Sequence, residues 1–128
     1  MTLAWSISHE EKLVVVHIRS TLELEDVGGI YAVMAAEGAF SYRKLVDLSF
    51  APLTMNVAGI TKLSQLVGTA AGDAPRGPVA CVVNSEIAHE MIEIFDRKMS
   101  LDRPLRIFRD TAAAMRWLDE IAPAGGSS

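Results

Sequence analysis

Asp47 and Ser49, two positions apart, end an apolar run, Lys44-Leu45-Val46-Asp47-Leu48-Ser49. A carboxylate at such a point can hold a ligand, take a proton, or accept the backbone N–H groups of the loop that follows. The structural role is the one favoured here. Ser49 lacks the Gly-x-Ser-x-Gly elbow that presents a hydrolytic nucleophile, and no histidine partner can be assigned to it. Phe50-Ala51-Pro52-Leu53 then leads to Thr54, a residue suited to capping a helix, followed by Met55 and Asn56. In layered α/β domains, sites tend to form at the carboxyl ends of strands and the helix starts behind them. The candidate binding residues are therefore Asp47, Ser49, Thr54, Met55 and Asn56, with no catalytic set among them.

The other chemistry-bearing residues are dispersed. Of the three histidines, His9 falls in a turn, His17 in a strand among Val14, Val15, Val16 and Ile18, and His89 on a helix beside Glu86, Glu90 and Glu93. A metal site needs several converging ligands, and His89-Glu90 has no second histidine at helical spacing, so no metal is expected. A histidine ending a buried strand needs a hydrogen-bond partner, which makes His17 the more interesting of the three. The single cysteine, Cys81, lies in a β-branched run and reads as a buried, inert thiol. Gly28-Gly29 is not the Gly-x-Gly-x-x-Gly of a dinucleotide site, so no cofactor is implied.

Composition narrows the partners. Twelve basic against sixteen acidic residues give a net charge of −4, with no broad attraction for nucleic acid. Arg97, Lys98, Arg103, Arg106 and Arg109 could form an anion-binding edge, but Asp96, Asp102 and Asp110 are interleaved with them, and surface ion pairing is the expected outcome. No apolar run approaches the about 20 residues of a spanning helix, and Trp5, Ser6, Ser8 and Glu10 stand where a signal peptide would be basic and then apolar. With one cysteine, a cytoplasmic location is expected.

The elements that must position these residues follow from periodicity. Apolar segments at about 2–8 and 12–19 flank His9-Glu10-Glu11 as a hairpin. Ser20 and Glu23 match a capping box before a helix carrying Leu24, Val27, Tyr31 and Met34, in which Gly28 and Gly29 suggest a close backbone contact. Lys44 to Ser49 is a strand, and Thr54 caps a helix with Ile60, Leu63, Leu66 and Val67 that stops at Gly68. After a loop over 69–77, Pro78 to Val83 is a strand buried on both faces, and Asn84 or Ser85 caps a helix with Ile87, Met91, Ile94 and Phe95 inward. Leu105, Ile107 and Phe108 mark the last strand, and Asp110 caps a last helix striped by Ala114, Trp117, Leu118 and Ile121.

The order is β-β-α-β-α-β-α-β-α, an α/β domain with a mixed, mostly parallel central sheet of about five strands and four helices. One domain over 1–122, with 123–128 as a tail, accounts for the 128 residues.

This order, with Asp47-Leu48-Ser49 ending the third strand, resembles the STAS domain, named for sulfate transporters and anti-sigma-factor antagonists. The nearer match is to its SpoIIAA-like bacterial branch, also described as STAS/SEC14-like. Arg106-Ile107-Phe108-Arg109-Asp110 followed by Ala113-Ala114-Met115-Arg116-Trp117-Leu118 is similar to that branch's ending of strand, aspartate and alanine-rich helix. The resemblance spans about residues 3–121. In anti-sigma-factor antagonists an Asp-Ser-Ser-Gly helix start carries a phosphoaccepting serine. Met55-Asn56-Val57-Ala58 stands there in this chain, so that switch does not carry over. Thr54, one turn earlier, is the one phosphoacceptor candidate left, its alternative role being a plain cap.

The resemblance implies a non-enzymatic regulatory module that docks a partner protein, with homodimerisation open. Its SEC14-like side implies a carrier of a lipid or other small apolar ligand. That would need an internal cavity near Met34, Phe40, Met55, Ile60 and Leu63, and the methionines would suit such a plastic lining.

Overall fold

Strand-forming alternation at the amino end lays β1 (Leu3–Ser8) antiparallel to β2 (Leu13–Ile18), pairing Trp5 with Val16 and Ile7 with Val14. Lys12 completes the connection with φ at 52°, a left-handed conformation that turns the chain back. The computed structural model describes residues 3–19, 24–49, 59, 61, 62, 65, 77–98 and 104–121. Within them the chain continues as α1 (Leu24–Glu37), β3 (Arg43–Asp47), β4 (Val79–Val82), α2 (Glu86–Lys98), β5 (Leu105–Phe108) and α3 (Thr111–Ile121).

The strands form one five-stranded sheet in the order β1-β2-β3-β4-β5, with every pair after the first parallel. Mixed, mostly parallel architecture is thus as expected. Of the helix expected after Thr54, Gly59, Thr61, Lys62 and Gln65 are helical, and the rest lies outside the described residues, as do the Ser20–Glu23 capping box and residues 122–128.

Because the strands advance in one direction across the sheet, right-handed crossovers put their helices on a single face. On that face Ile30 and Met34 of α1 and Ala88 of α2 are buried together with Val14, Val16, Ile18, Leu48, Val79 and Cys81. Cys81 is buried within this cluster, as expected. The opposite face is covered by α3, whose Ala114 and Leu118 pack on Leu13, Leu45, Ala80 and Val82.

Helix ends are built as the sequence specifies. Asp110 accepts the Ala112 N–H at 3.0 Å, and Ser85 rather than Asn84 caps α2, accepting the Ala88 N–H at 3.1 Å. At the far end of α1 the Ala39 N–H donates to Met34 O at 2.9 Å around Gly38, whose φ of 67° is the usual glycine stop.

Three expectations need correction. On α2, Met91, Ile94 and Phe95 are partly buried, but Ile87 is 61% exposed, and Ala88, buried, and Ile92, packed on the core, take the inward face at that end. On α3 Ile121 is exposed and Trp117 only half-buried against Phe108, so the stripe ends at Leu118. In α1 a side chain at Gly29 would meet nothing within 4 Å, so no close approach explains that glycine. The close approach is instead at Gly77, where a Cβ would stand 2.3 Å from Tyr42 O and 2.4 Å from Ser41 O. There the Gly77 N–H donates to Phe40 O at 3.0 Å and seats β4 beside the start of β3.

Candidate functional site

Parallel pairing places His17, at the end of β2, directly opposite Asp47, at the end of β3. Residues in register on neighbouring strands face the same side, so the imidazole and the carboxylate meet, with Nδ1 3.2 Å from Oδ2. The other carboxylate oxygen, Oδ1, accepts the Ser49 N–H at 3.0 Å and the Ser49 hydroxyl at 2.5 Å. Across the next strand, the Asn84 amide donates from Nδ2 to Ser49 O at 2.6 Å. The carboxyl ends of β2, β3 and β4 are thereby tied around a single aspartate.

The electrostatics follow from that arrangement. Asp47 is 9% exposed in its side chain and His17 41%. Burial works against ionisation of Asp47, but the Ser49 hydroxyl and amide and the His17 ring together outweigh it and hold the carboxyl below its ordinary value. Asp47 is thus an anion at neutral pH, facing its own chain's donors.

Chemically, the order of contacts matters. Asp47 stands between serine and histidine, so the Ser49 hydroxyl donates to a carboxylate and touches no imidazole. In a hydrolytic triad the histidine must stand between the two. The arrangement positions groups rather than activating Ser49.

Of the residues singled out in the sequence, Asp47 and Ser49 are brought together. Thr54, Met55, Asn56, Ile60 and Leu63 lie outside the described residues. Met34 is buried in the main cluster, with Phe40 packed against it and against Tyr31 at 5.9 Å between ring centroids. The partner of His17 and the clamp by Asn84 are not visible in sequence. The available signal is that each closes a β-branched or apolar strand run, which puts both residues on the same sheet edge as Asp47.

Elsewhere, charged groups are paired locally. His9 lies 2.6 Å from the Tyr42 hydroxyl and 2.7 Å from Glu37 Oε1, and His89 lies 3.7 Å from Glu93 along α2. Arg109 pairs with Glu86 at 2.8 Å and Arg106 lies over the Phe108 ring, while Arg103 and Asp102 lie outside the described residues. No group of three or more metal-ligating side chains occurs among the described residues.

Two solved structures share this architecture over nearly their whole length. An uncharacterized Shewanella loihica protein with a SpoIIAA-like fold superposes with a TM-score of 0.64, covering 91% of this chain and 93% of its own at 16% identity. The fold is SpoIIAA-like. An anti-sigma factor antagonist from Mycobacterium paratuberculosis, 12% identical, matches with a TM-score of 0.50 over 90% of this chain and 92% of its own. No family model and no curated protein matches the sequence. The SpoIIAA-like fold therefore rests on architecture, and the Asp47 strand end occupies one of its sheet's carboxyl edges. No described helix is long and apolar enough to cross a membrane.

Proposed function

We propose that this SpoIIAA-like chain is a non-enzymatic regulatory module that docks a partner protein at the carboxyl end of β3. The surface would comprise Ser49 and the segment through Thr54, Met55 and Asn56, with Asp47 as its internal brace. The observation that carries this reading is the use of Asp47: both of its oxygens are engaged by its own chain, which stiffens the strand end and leaves Ser49 without a base. A strand end held in this way suits recognition, since little ordering entropy is lost there on binding. The anti-sigma factor antagonist with the same fold supports a protein as partner. Thr54 is the residue of this surface whose phosphorylation would switch it, and the module would act in the cytoplasm.

The test compares native-lysate pull-downs by the wild type and by Asn56→Arg, with circular dichroism confirming that both are folded. A partner held by the wild type and lost by the variant is expected. Equal retention by both, or no partner together with turnover of a small substrate, would overturn the reading. Native mass spectrometry of gently purified protein addresses the carrier alternative around Met34, Phe40, Ile60 and Leu63: a chain of bare mass is expected, and a bound apolar molecule would favour the carrier.

A further inference from the structure

His17 is set apart from the chain's other two histidines by how its ring is held. One nitrogen, Nδ1, is fixed against Asp47 at 3.2 Å, and Nε2 has no hydrogen-bond partner among the described residues while the side chain is 41% exposed. His9 has both nitrogens engaged, by Tyr42 and Glu37, and His89 has its Nε2 beside Glu93. A carboxylate on Nδ1 selects the tautomer with the proton there, so Nε2 keeps its lone pair and points away from the anion. That is the geometry of a nucleophilic imidazole.

The neighbouring charge indicates which electrophile fits. Arg19, two residues along the chain from His17, is exposed and makes no ion pair with the described residues, which leaves an uncommitted cation close in sequence to the ring. The negative charge of Asp47 is already shared among three donors from Ser49 and His17. We infer that His17 Nε2 is a phosphoryl acceptor, taking a phosphoryl group from a phosphoanhydride donor.

The step balances without a further reactant. The Nε2 lone pair forms the N–P bond as the bond from phosphorus to the leaving oxygen breaks, and the departing phosphate keeps that electron pair. The Nδ1 proton stays in place, and the positive charge that develops on the ring lies against the Asp47 carboxylate. The inference deepens the regulatory reading by giving the same sheet edge a covalent input, and for that purpose alone it rests on that reading.

Potassium phosphoramidate, which phosphorylates imidazoles directly, is the probe for the intact wild-type chain. Phosphorus NMR and mass spectrometry should show an acid-labile, alkali-stable phosphate at His17, formed at least about tenfold faster than at His9 or His89. Asp47→Asn should slow labelling of His17 while leaving the other two unchanged. Comparable rates at all three histidines, no labelling of His17, or an acid-stable phosphate on Thr54 instead would overturn the inference. Since the three histidines of one folded protein are compared, the result does not depend on any variant folding. Labelling at His17 with a partner retained equally by the wild type and Asn56→Arg would defeat the docking reading alone, and a partner lost by Asn56→Arg without labelling at His17 would defeat this one alone.

Discussion

His17 and Asp47 are register partners on adjacent parallel strands, and their side chains close a 3.2 Å contact across the sheet's carboxyl edge. The pairing explains why a carboxylate is placed where a strand ends in the core. Its desolvation is offset by three donors, two of them from Ser49 two residues on. The contact therefore belongs to the fold before it belongs to any function: it fixes where β2 stops relative to β3.

Asp47→Asn keeps the shape and removes the charge, leaving one side-chain NH2 facing donors. A loss of about 1–3 kcal/mol in urea-monitored stability at neutral pH is expected. Because the folded carboxyl titrates below the ordinary aspartate value of 3.8, its contribution is complete above that value and is lost as pH falls through the lowered folded value. The stability gap between wild type and Asp47→Asn should be level from neutral pH down to about pH 5 and narrow below about pH 4. A gap that widens in acid would contradict the assignment of Asp47 as a buried anion.

The two kinds of glycine give opposite expectations. Gly29, with open space around its missing Cβ, sits inside α1, where alanine lowers the unfolded chain's freedom and suits the helix. Gly29→Ala should stabilise by about 0.5–1 kcal/mol. Gly77→Ala would drive a methyl group into the backbone oxygens of Ser41 and Tyr42, neither of which can rotate away. Thermal melts should show Tm rising for the first and falling by several degrees for the second.

This contrast shows what could be read in advance and what could not. Periodicity and caps located the elements around Val14, Met34, Asp110 and Leu118, because those signals are local to a few residues. The importance of Gly77 arises from a strand start roughly thirty-five residues earlier in the chain, and no short-range pattern reports it. The same applies to the site: Asp47 and Ser49 are near neighbours and were legible, whereas His17 and Asn84 join them only through sheet register. Ile87 and Ile121 misled because helix periodicity fixes a face only to within about one residue of phase.

Arg43 carries the opposite end of β3. Its guanidinium, 5% exposed, donates to Asp119 Oδ1 at 2.7 Å and to Glu11 O at 3.1 Å, joining the β1–β2 turn to α3. Asp119 itself is 62% exposed, so water takes over much of its role when it is lost. Asp119→Ala should cost only about 1 kcal/mol in denaturant melts. Arg43→Ala removes both bonds and the packing of the stem, and a larger loss is expected. Equal costs would mean that the Glu11 carbonyl contact contributes nothing.

The last helix offers the sharpest test of the packing. Because α3 covers its face of the sheet with Ala114 and Leu118 at its centre, those contacts hold Leu13, Leu45, Ala80 and Val82 away from water. Leu118 is 0% exposed, and Leu118→Ala should cost about 2–5 kcal/mol, since neighbours on a β-sheet cannot collapse into the space. Trp117, though larger, is half-buried and rests on Phe108 at 5.8 Å, so its removal loses one tilted ring contact and part of its area. Trp117→Ala should therefore destabilise less than Leu118→Ala, against what side-chain size alone suggests. Paired urea melts decide the order, and a costlier Trp117→Ala would mean that α3 docks through its aromatic edge rather than through Leu118.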